Sequence, residues 1–477
     1  MDSKEFAQPV SAPVAEAATV RRAMRFLVLC LPSLVLPVLA APTGLSPSGG
    51  KTVALLDNVQ SNYLYKMSVD ERSWVMSEKS STGKSSRLSG FTATTFSVGS
   101  PVKLSWKDAS GTCLVSVKRL SDGKVISTAT VSGTSASVVN LEIDAEYEWT
   151  VTDSSGTSAP AKFHTAGEPP RLIKSGEMKV MRDLGGWTGL AGRKVRQNQL
   201  FRGGPAESDY KQKPNRSLVD DAAREFFYNV VGLKTEVDMR YATGKNAQTG
   251  DYPRFDMTGA VVNYLNLYVY WSGLYYASDT SAEGRNWGEI LRKVVDPEAR
   301  PLYFHCSAGR DRTGLIAGLT LALLGVDEDS IMRDYQATCY LDGSNGTSSF
   351  HENIFETIAA FSNVKKSLAE NTAAYFMSFG ITEEQIEDFR TDMLIGYGEP
   401  PKPTYWVEEP VYVTATRITF AAGEQTGEQY TGFLTKKGFW YAWGTNGVAG
   451  TEWKQSDGTP MELEKPKGDG WELMVRE

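Results

Sequence analysis

The hydrophobic pattern changes twice between residues 301 and 325. Leu302, Tyr303 and Phe304 form a short apolar run, a polar loop opens on Cys306, and a long apolar stretch from 315 to 324 stops at Gly325. This order predicts a strand, an anion-binding loop and a buried helix. Upstream, Ser217 is placed to cap a helix reaching about residue 230, with Phe226, Phe227, Val230 and Val231 on its inner side. Residues 233–240 and 261–270 predict strands, and a helix from about 283 to 295 precedes the loop. Downstream, Asp327 is placed to cap a helix reaching residue 340, and Thr382 with Gln385 forms a capping-box signature for another reaching about 394. Strands alternating with helices predict an α/β domain over 170–398, with a mostly parallel sheet and flanking helices. Cys306 then falls at the carboxyl end of a strand, where such sheets hold ligands.

Elsewhere the period is two. Val102, Leu104 and Trp106 alternate, followed by Leu114, Val115 and Val117, a turn signal at 121–124, and Val138, Leu141, Tyr147, Trp149 and Val151. Short alternating strands at this spacing predict a β-sandwich within 42–167. Residues 43–97 carry Ser/Thr/Gly-rich pieces without a clear element. Linkers are expected at 166–170 and 400–403, and 405–477 alternates with turn signals at 445–447 and 456–458, predicting a small all-β domain. Its Trp440, Trp443, Trp453 and Trp471 suit a sugar-stacking face, although core aromatics are the commoner explanation. The protein is therefore expected to be multidomain.

The amino terminus adds an address. After Met24 and Arg25 an apolar run reaches Leu39 and gives way to Ala40 and Ala41, the pattern of a signal peptide over 1–41, with Met24 as an alternative start. Pro32 and Pro37 interrupt a run already short of the ~20 residues a membrane span needs. A secreted or periplasmic location follows. Composition narrows the partners: a formal charge of −7 and a pI near 5.4 argue against nucleic acid. Beyond Cys30 there are Cys113, Cys306 and Cys339, too few for a disulfide framework, and Cys306 is the candidate free thiol. His164, His305 and His351 form no metal-ligand cluster, no nucleotide-binding glycine motif stands out, and no cofactor is expected.

Cys306 and Arg312 are separated by five residues. A loop of that length can turn successive N–H groups inward, at the positive end of the following helix, while the arginine grips an anion with two prongs. Such surroundings lower a thiol from about 8.5 into the ~3.5–7.5 range. Ser307, Ala308, Gly309 and Arg310 belong to this candidate phosphate cradle, and the small Ala308 and Gly309 allow close backbone approach. Thr313 is placed to donate its hydroxyl to the sulfur, and His305 to orient the loop. Arg182, Arg202 and Arg240 are further candidate phosphate or substrate contacts, and Asp238 ends the preceding strand as a candidate acid. Tyr264, Tyr268, Trp271, Tyr275 and Tyr276 suit a pocket wall or lid, with core packing the commoner role for the first two. Cys339 is more simply a buried cysteine than a disulfide partner of Cys306.

The run from His305 to Gly314 resembles the signature loop of protein tyrosine phosphatases. It is most similar to a bacterial secreted group whose loop reads HCxxGKDRTG and which acts on phosphotyrosine, sometimes phosphoserine/threonine, and phosphoinositides. Arg182-Asp183-Leu184-Gly185-Gly186, Leu200-Phe201-Arg202 and Val237-Asp238-Met239-Arg240 resemble that group's upstream motifs, and Gly325-Val326 with Asp334-Tyr335 its downstream helices. The resemblance implies a cysteine-dependent phosphatase that forms a cysteinyl-phosphate on Cys306, of tyrosine or dual specificity. It implies Asp311 as the general acid, ahead of Asp238. Arg310 stands where the group has lysine, and the segment after Gly203 departs from it. Phosphotyrosine protein is the leading substrate, with phosphoinositide or inositol polyphosphate such as phytate as one alternative. An inactive phosphate-binding or surface-adhesion protein, whose β domains bind a surface or sugar ligand, is the other. Leu141, Tyr147 and Trp149 resemble the tyrosine-corner region of fibronectin type III and immunoglobulin-like domains over about 95–167.

Overall fold

A computed structural model of the protein describes residues 40–78, 98–178, 180–206, 218–240, 263–270, 281–338, 350, 352–361 and 366–398, together with the strand backbone between 411 and 474. The period-two stretch folds as two sheets. Strands β1 (Thr43–Ser46), β3 (Val102–Lys107) and β6 (Ser135–Val138) form one. The other runs β2 (Lys51–Val53), β9 (Ala161–Thr165), β7 (Glu146–Asp153), β4 (Thr112–Arg119) and β5 (Val125–Ser132), with β8 (Gly156–Thr157) on β7. Alternate side chains of a strand face opposite sides. Val102, Leu104 and Trp106 therefore meet Val115, Val117, Tyr147, Trp149 and Phe163 in one buried cluster. The 121–124 signal closes β4 onto β5, and the Glu142 N–H donates to the Tyr147 hydroxyl at 2.8 Å.

Between β2 and β3 the chain makes elements that its composition did not announce. Helix α1 (Asn58–Ser61), capped by Asp57, runs through a π turn into α2 (Val69–Glu78). Leu56, Tyr63, Leu64 and Val75 of this insert bury themselves against Leu172 and Ala337 of the α/β domain.

That domain is built on strands β10 (Arg171–Leu172), β11 (Arg182–Asp183), β12 (Leu200–Gly203), β13 (Thr235–Asp238), β14 (Asn263–Asn266) and β15 (Leu302–His305), in the order β10-β11-β12-β15-β13-β14. β12, β15, β13 and β14 pair in parallel, whereas β10, β11 and β12 pair antiparallel. The sheet is mixed, not mostly parallel as expected. Parallel neighbours need a long crossover, usually a helix, and only short or irregular connections join β10, β11 and β12.

Asp220 caps helix α3 (Asp221–Glu225), which continues as a π turn to Val231; Ser217 lies outside the described residues. Helices α4 (Ala282–Val295), α5 (Asp311–Leu323) and α6 (Glu328–Thr338) follow, and the Thr382–Gln385 box starts the helix Glu383–Met393 as anticipated. Leu200, Val237, Leu302 and Phe304 pack on one face of the sheet with α4 and α5, while Phe201 and Tyr303 pack on the other with Phe226 and Phe227. Full burial of a side chain such as Phe304 contributes roughly 1.5–3 kcal/mol.

Residues 166–170 do not act as a free tether. Arg171, 2% exposed, pairs with Asp183 at 2.8 Å and donates to the carbonyls of Asn140 and Leu141 at 2.6 and 2.9 Å. Gln197 exchanges two hydrogen bonds with the Ile143 backbone, at 2.8 and 2.9 Å. Gly186, with φ +93°, lies so close to Ile143 that a Cβ there would be 2.2 Å from its Cδ1. The amino-terminal β region is thereby joined to the α/β domain through buried polar contacts.

At the carboxyl end, β16 (Val411–Phe420), β17 (Gly423–Thr435), β18 (Gly438–Ala442) and β19 (Trp471–Met474) form an antiparallel sheet in that order. The turn signals at 445–447 and 456–458, Trp443 and Trp453, the 400–403 linker, Cys339, His351, Cys30 and the signal-peptide segment with Met24 lie outside the described residues. Among the described residues no helix is long and apolar enough to cross a membrane.

Candidate active site

The site is assembled where three parallel strands end. His305 closes β15 in register with Gly203 of β12 and Asp238 of β13, and Cys306 is the next residue. The loop then turns into α5 at Asp311. Gly309 has φ +65°, and a Cβ there would lie 2.4 Å from the Gly203 carbonyl group. Two glycine runs far apart in the chain thus meet backbone to backbone. The Tyr303 hydroxyl donates to the Gly204 carbonyl and fixes that contact from below.

Cys306 is a free thiol only 3% exposed. Burial pushes its pKa up, but the Arg312 charge, the Thr313 hydroxyl and the N–H groups of Thr313 and Ala308 outweigh it, so the thiol is held below its ordinary value. The Thr313 hydroxyl is fully buried beside the thiol. Arg312 donates to the Met239 carbonyl at 2.6 Å, more weakly to Val269 O at 3.4 Å, and to the Ser307 hydroxyl at 3.3 Å. Those contacts aim a half-buried guanidinium across the loop. Arg310 grips Asp311 through two bonds of 2.9 and 3.0 Å, and the Tyr335 hydroxyl approaches the same carboxylate at 3.4 Å.

Arg182 and Arg202 are placed otherwise than expected. Both are fully buried, and both bind Asp334 of α6, with Arg182 at 2.7 Å. They also donate to the Thr338 hydroxyl, and Arg182 to the Asp334 carbonyl at 2.7 Å. Arg202 donates to the carbonyls of Gly309 at 3.0 Å and Arg310 at 3.4 Å. A peptide carbonyl and the adjoining N–H point opposite ways, so capturing carbonyls on the outside of the loop leaves its N–H groups turned inward. These arginines are struts, since a fully buried guanidinium with these partners has no reach to substrate. Burial would raise the Asp334 carboxyl, yet Arg182 and Arg202 hold it below its ordinary value. Burial and the Arg182 charge bring Arg202 down to about 10.

A second buried cluster lies behind His305. Its Nε2 is 3.0 Å from Glu236 Oε1, and its Nδ1 is 3.9 Å from Asp238 Oδ1. Burial pushes the imidazole down, but Asp238 and Glu236 together raise it above its ordinary value. Asp238, 2% exposed, is held by Arg240 at 2.5 Å and accepts the Tyr264 hydroxyl at 2.9 Å. Burial alone would raise this carboxyl, but His305 and Arg240 hold it at about 2. Asp238 is thus a buried carboxylate engaged by Arg240, Tyr264 and His305, an arrangement that speaks against a general-acid role. Arg240 is committed to that pair while remaining half-buried. Tyr264 and Tyr268 are also half-buried, and Trp271, Tyr275 and Tyr276 lie outside the described residues.

Sequence reasoning missed Glu236 and quoted Asp334 only as part of a motif. Glu236 carried a signal, since it sits two residues before Asp238 and so on the same strand face as Tyr303 and His305. Among the described residues no group of His, Cys, Asp or Glu is arranged to hold a metal ion.

Comparison with known proteins agrees with this geometry. A protein of Cupriavidus necator provisionally named a tyrosine-protein phosphatase is 31% identical over 169 residues, 32% of this chain and 58% of its own. A tyrosine-protein phosphatase of Nostoc commune is 29% identical over 135 residues, 24% of this chain and 43% of its own. The triple specificity protein phosphatase PtpB of Mycobacterium tuberculosis is 28% identical over 183 residues, 36% of this chain and 62% of its own. The chain thus spans less than two thirds of the length of each of these relatives. Residues 176–395 match the model described as the tyrosine phosphatase family, and this match with these relatives supports a phosphatase enzyme.

Proposed function

We propose that the protein hydrolyses phosphate monoesters through a cysteinyl-phosphate on Cys306, with phosphotyrosine protein as substrate. One observation carries the proposal. Cys306 sits at a strand-to-helix turn with its thiol held below its ordinary value by Arg312, the Thr313 hydroxyl and loop N–H groups. In the first step the sulfur attacks phosphorus in line, an S–P bond forms, and the ester P–O bond breaks. The leaving oxygen takes a proton from Asp311, the partly exposed carboxyl at the start of α5. Loop N–H groups and the Arg312 fork hold the three remaining oxygens as charge builds on them. In the second step water attacks phosphorus while the Asp311 carboxylate takes its proton, the S–P bond breaks with its electron pair returning to sulfur, and the Thr313 hydroxyl donates toward the departing thiolate.

The charge around the loop favours a single phosphate over a polyanion. Arg182 and Arg202 are spent on Asp334, while Arg240 and Arg310 each face a carboxylate, Asp238 and Asp311. An inositol polyphosphate would ask for several uncommitted cations. The name of the M. tuberculosis relative keeps a wider specificity in view. The residue 24–41 pattern supports an extracytoplasmic location, and the flanking β regions are read as an immunoglobulin-like sandwich and a small all-β domain.

Phosphate release from phosphotyrosine peptide, phosphoserine peptide, phosphoinositide and phytate, with wild type and Cys306→Ser, tests the reading. Phosphotyrosine peptide should rank first and the serine variant should be silent. Turnover surviving in Cys306→Ser would sink the mechanism, and phytate ranking first would sink the substrate.

A further inference from the structure

Helix α6 is held on two sides. Consecutive helical residues are about 100° apart, so positions 334 and 336 face nearly opposite ways. Asp334 and Thr338 look toward the loop, where they hold Arg202 and through it the Gly309 and Arg310 carbonyls. Tyr335 lies against Gly314, and its hydroxyl reaches Asp311. Gln336, fully buried, looks the other way, into the insert of the amino-terminal β region.

What Gln336 meets there is Arg72 of α2. This guanidinium is 1% exposed and donates to Gln336 Oε1 at 2.5 Å, Met67 O at 2.6 Å, Asp329 Oδ1 at 3.0 Å and Leu64 O at 3.4 Å. The Gln336 amide donates back to Val69 O and Ser73 Oγ, both at 2.9 Å, and the Tyr63 hydroxyl reaches the Gln336 carbonyl at 3.4 Å. A buried guanidinium whose carboxylate partner Asp329 is half in solvent is tolerated only while its other acceptors stay in place. It therefore admits one position of α6 against the insert.

We propose that Arg72 is a positioning residue of the phosphate loop. Through Gln336 it holds α6 where Asp334 and Arg202 can fix the outward carbonyls of Gly309 and Arg310. The proposal rests on the phosphatase reading for its kinetic consequence, and on the loop geometry alone for its consequence for Cys306.

The test uses the full chain with Arg72→Met, alongside Val115→Ala, a core change in the amino-terminal β region chosen to lower the urea midpoint without touching α6. Three quantities are read: kcat and KM with p-nitrophenyl phosphate, protection of Cys306 from iodoacetate by inorganic phosphate, and the pH midpoint of that alkylation. A displaced loop misaligns its donors, so Arg72→Met should lower kcat about tenfold, weaken phosphate protection severalfold and raise the alkylation midpoint. Val115→Ala should stay within about twofold of wild type in each. Arg72→Lys keeps the charge with fewer donors and should fall between; it stands in if Arg72→Met does not fold. Wild-type kcat, protection and alkylation midpoint in a folded Arg72 variant overturn the proposal, as does an equal response to Val115→Ala. If the wild type itself releases no phosphate, the phosphatase reading fails, while protection and midpoint still decide the role of Arg72.

Discussion

Two arginines touch the same loop from opposite sides. Arg312, half-buried, is braced by the carbonyls of Met239 and Val269 and reaches the Ser307 hydroxyl next to Cys306. Arg202, fully buried, faces the outside of the loop and holds the Gly309 and Arg310 carbonyls. Peptide geometry explains why both are needed. A backbone that points its N–H groups at an anion must dispose of its carbonyls elsewhere, and in a dry interior each unpaired carbonyl is costly. In the proposed reaction Arg312 meets the phosphate, while Arg202 holds the loop carbonyls.

That division is broken most severely from the outer side. Asp334→Asn leaves Arg182 and Arg202 buried without their counter-charge, and should cost about 3–5 kcal/mol in urea denaturation at neutral pH. The Asp334 carboxyl lies below its ordinary value in the fold, so the wild type should lose this advantage on acidification and the variant should not. Unchanged stability in Asp334→Asn would mean that the struts bear no weight.

Arg312→Lys attacks the inner side. It keeps the charge but loses the fork, so kcat should fall about 10²–10³-fold while the urea midpoint scarcely moves. A comparable loss of stability would erase the distinction between the two arginines.

The smallest effect sharpens the comparison at the neighbouring strand. Asp238 moves from 3.8 to about 2 on folding, which corresponds to about 2 kcal/mol of stability at neutral pH. A depressed carboxyl stabilises above its unfolded pKa, and the effect is lost as pH falls from 3.8 through about 2. Asp238→Asn should flatten urea stability across that window and leave kcat/KM within a few-fold of wild type, whereas Asp311→Asn should lower kcat/KM about 10²–10⁴-fold. The reverse pattern would return the acid role to Asp238.

Legibility in the sequence followed contact distance along the chain. Strand, loop and helix are contiguous from Leu302 to Leu323, so alternation, glycine placement and the Cys306–Arg312 spacing could be read directly. The capping box at Thr382 and the α4 helix were equally local. The helix ending near residue 230 was read to its end, but its cap is Asp220 rather than Ser217, because more than one polar residue ahead of the apolar run can serve as cap. The mixed sheet was missed because Arg171–Leu172 and Arg182–Asp183 are two-residue strands, too short to show a period.

The sequence by itself determined the strand-to-helix turn that carries Cys306 and Arg312 and the alternation of strands and helices, since each depends on neighbours within a few residues. Only the tertiary structure decided what the remaining charges do. Arg202 finds Asp334 across 132 positions, His305 finds Glu236 across 69, and Arg72 finds Gln336 across 264. An arginine in a sequence carries only a charge. Burial, and the acceptors that burial brings within hydrogen-bond reach, decide whether it stays half-exposed on the Cys306 loop, as Arg312 does, or braces the backbone, as Arg202 does.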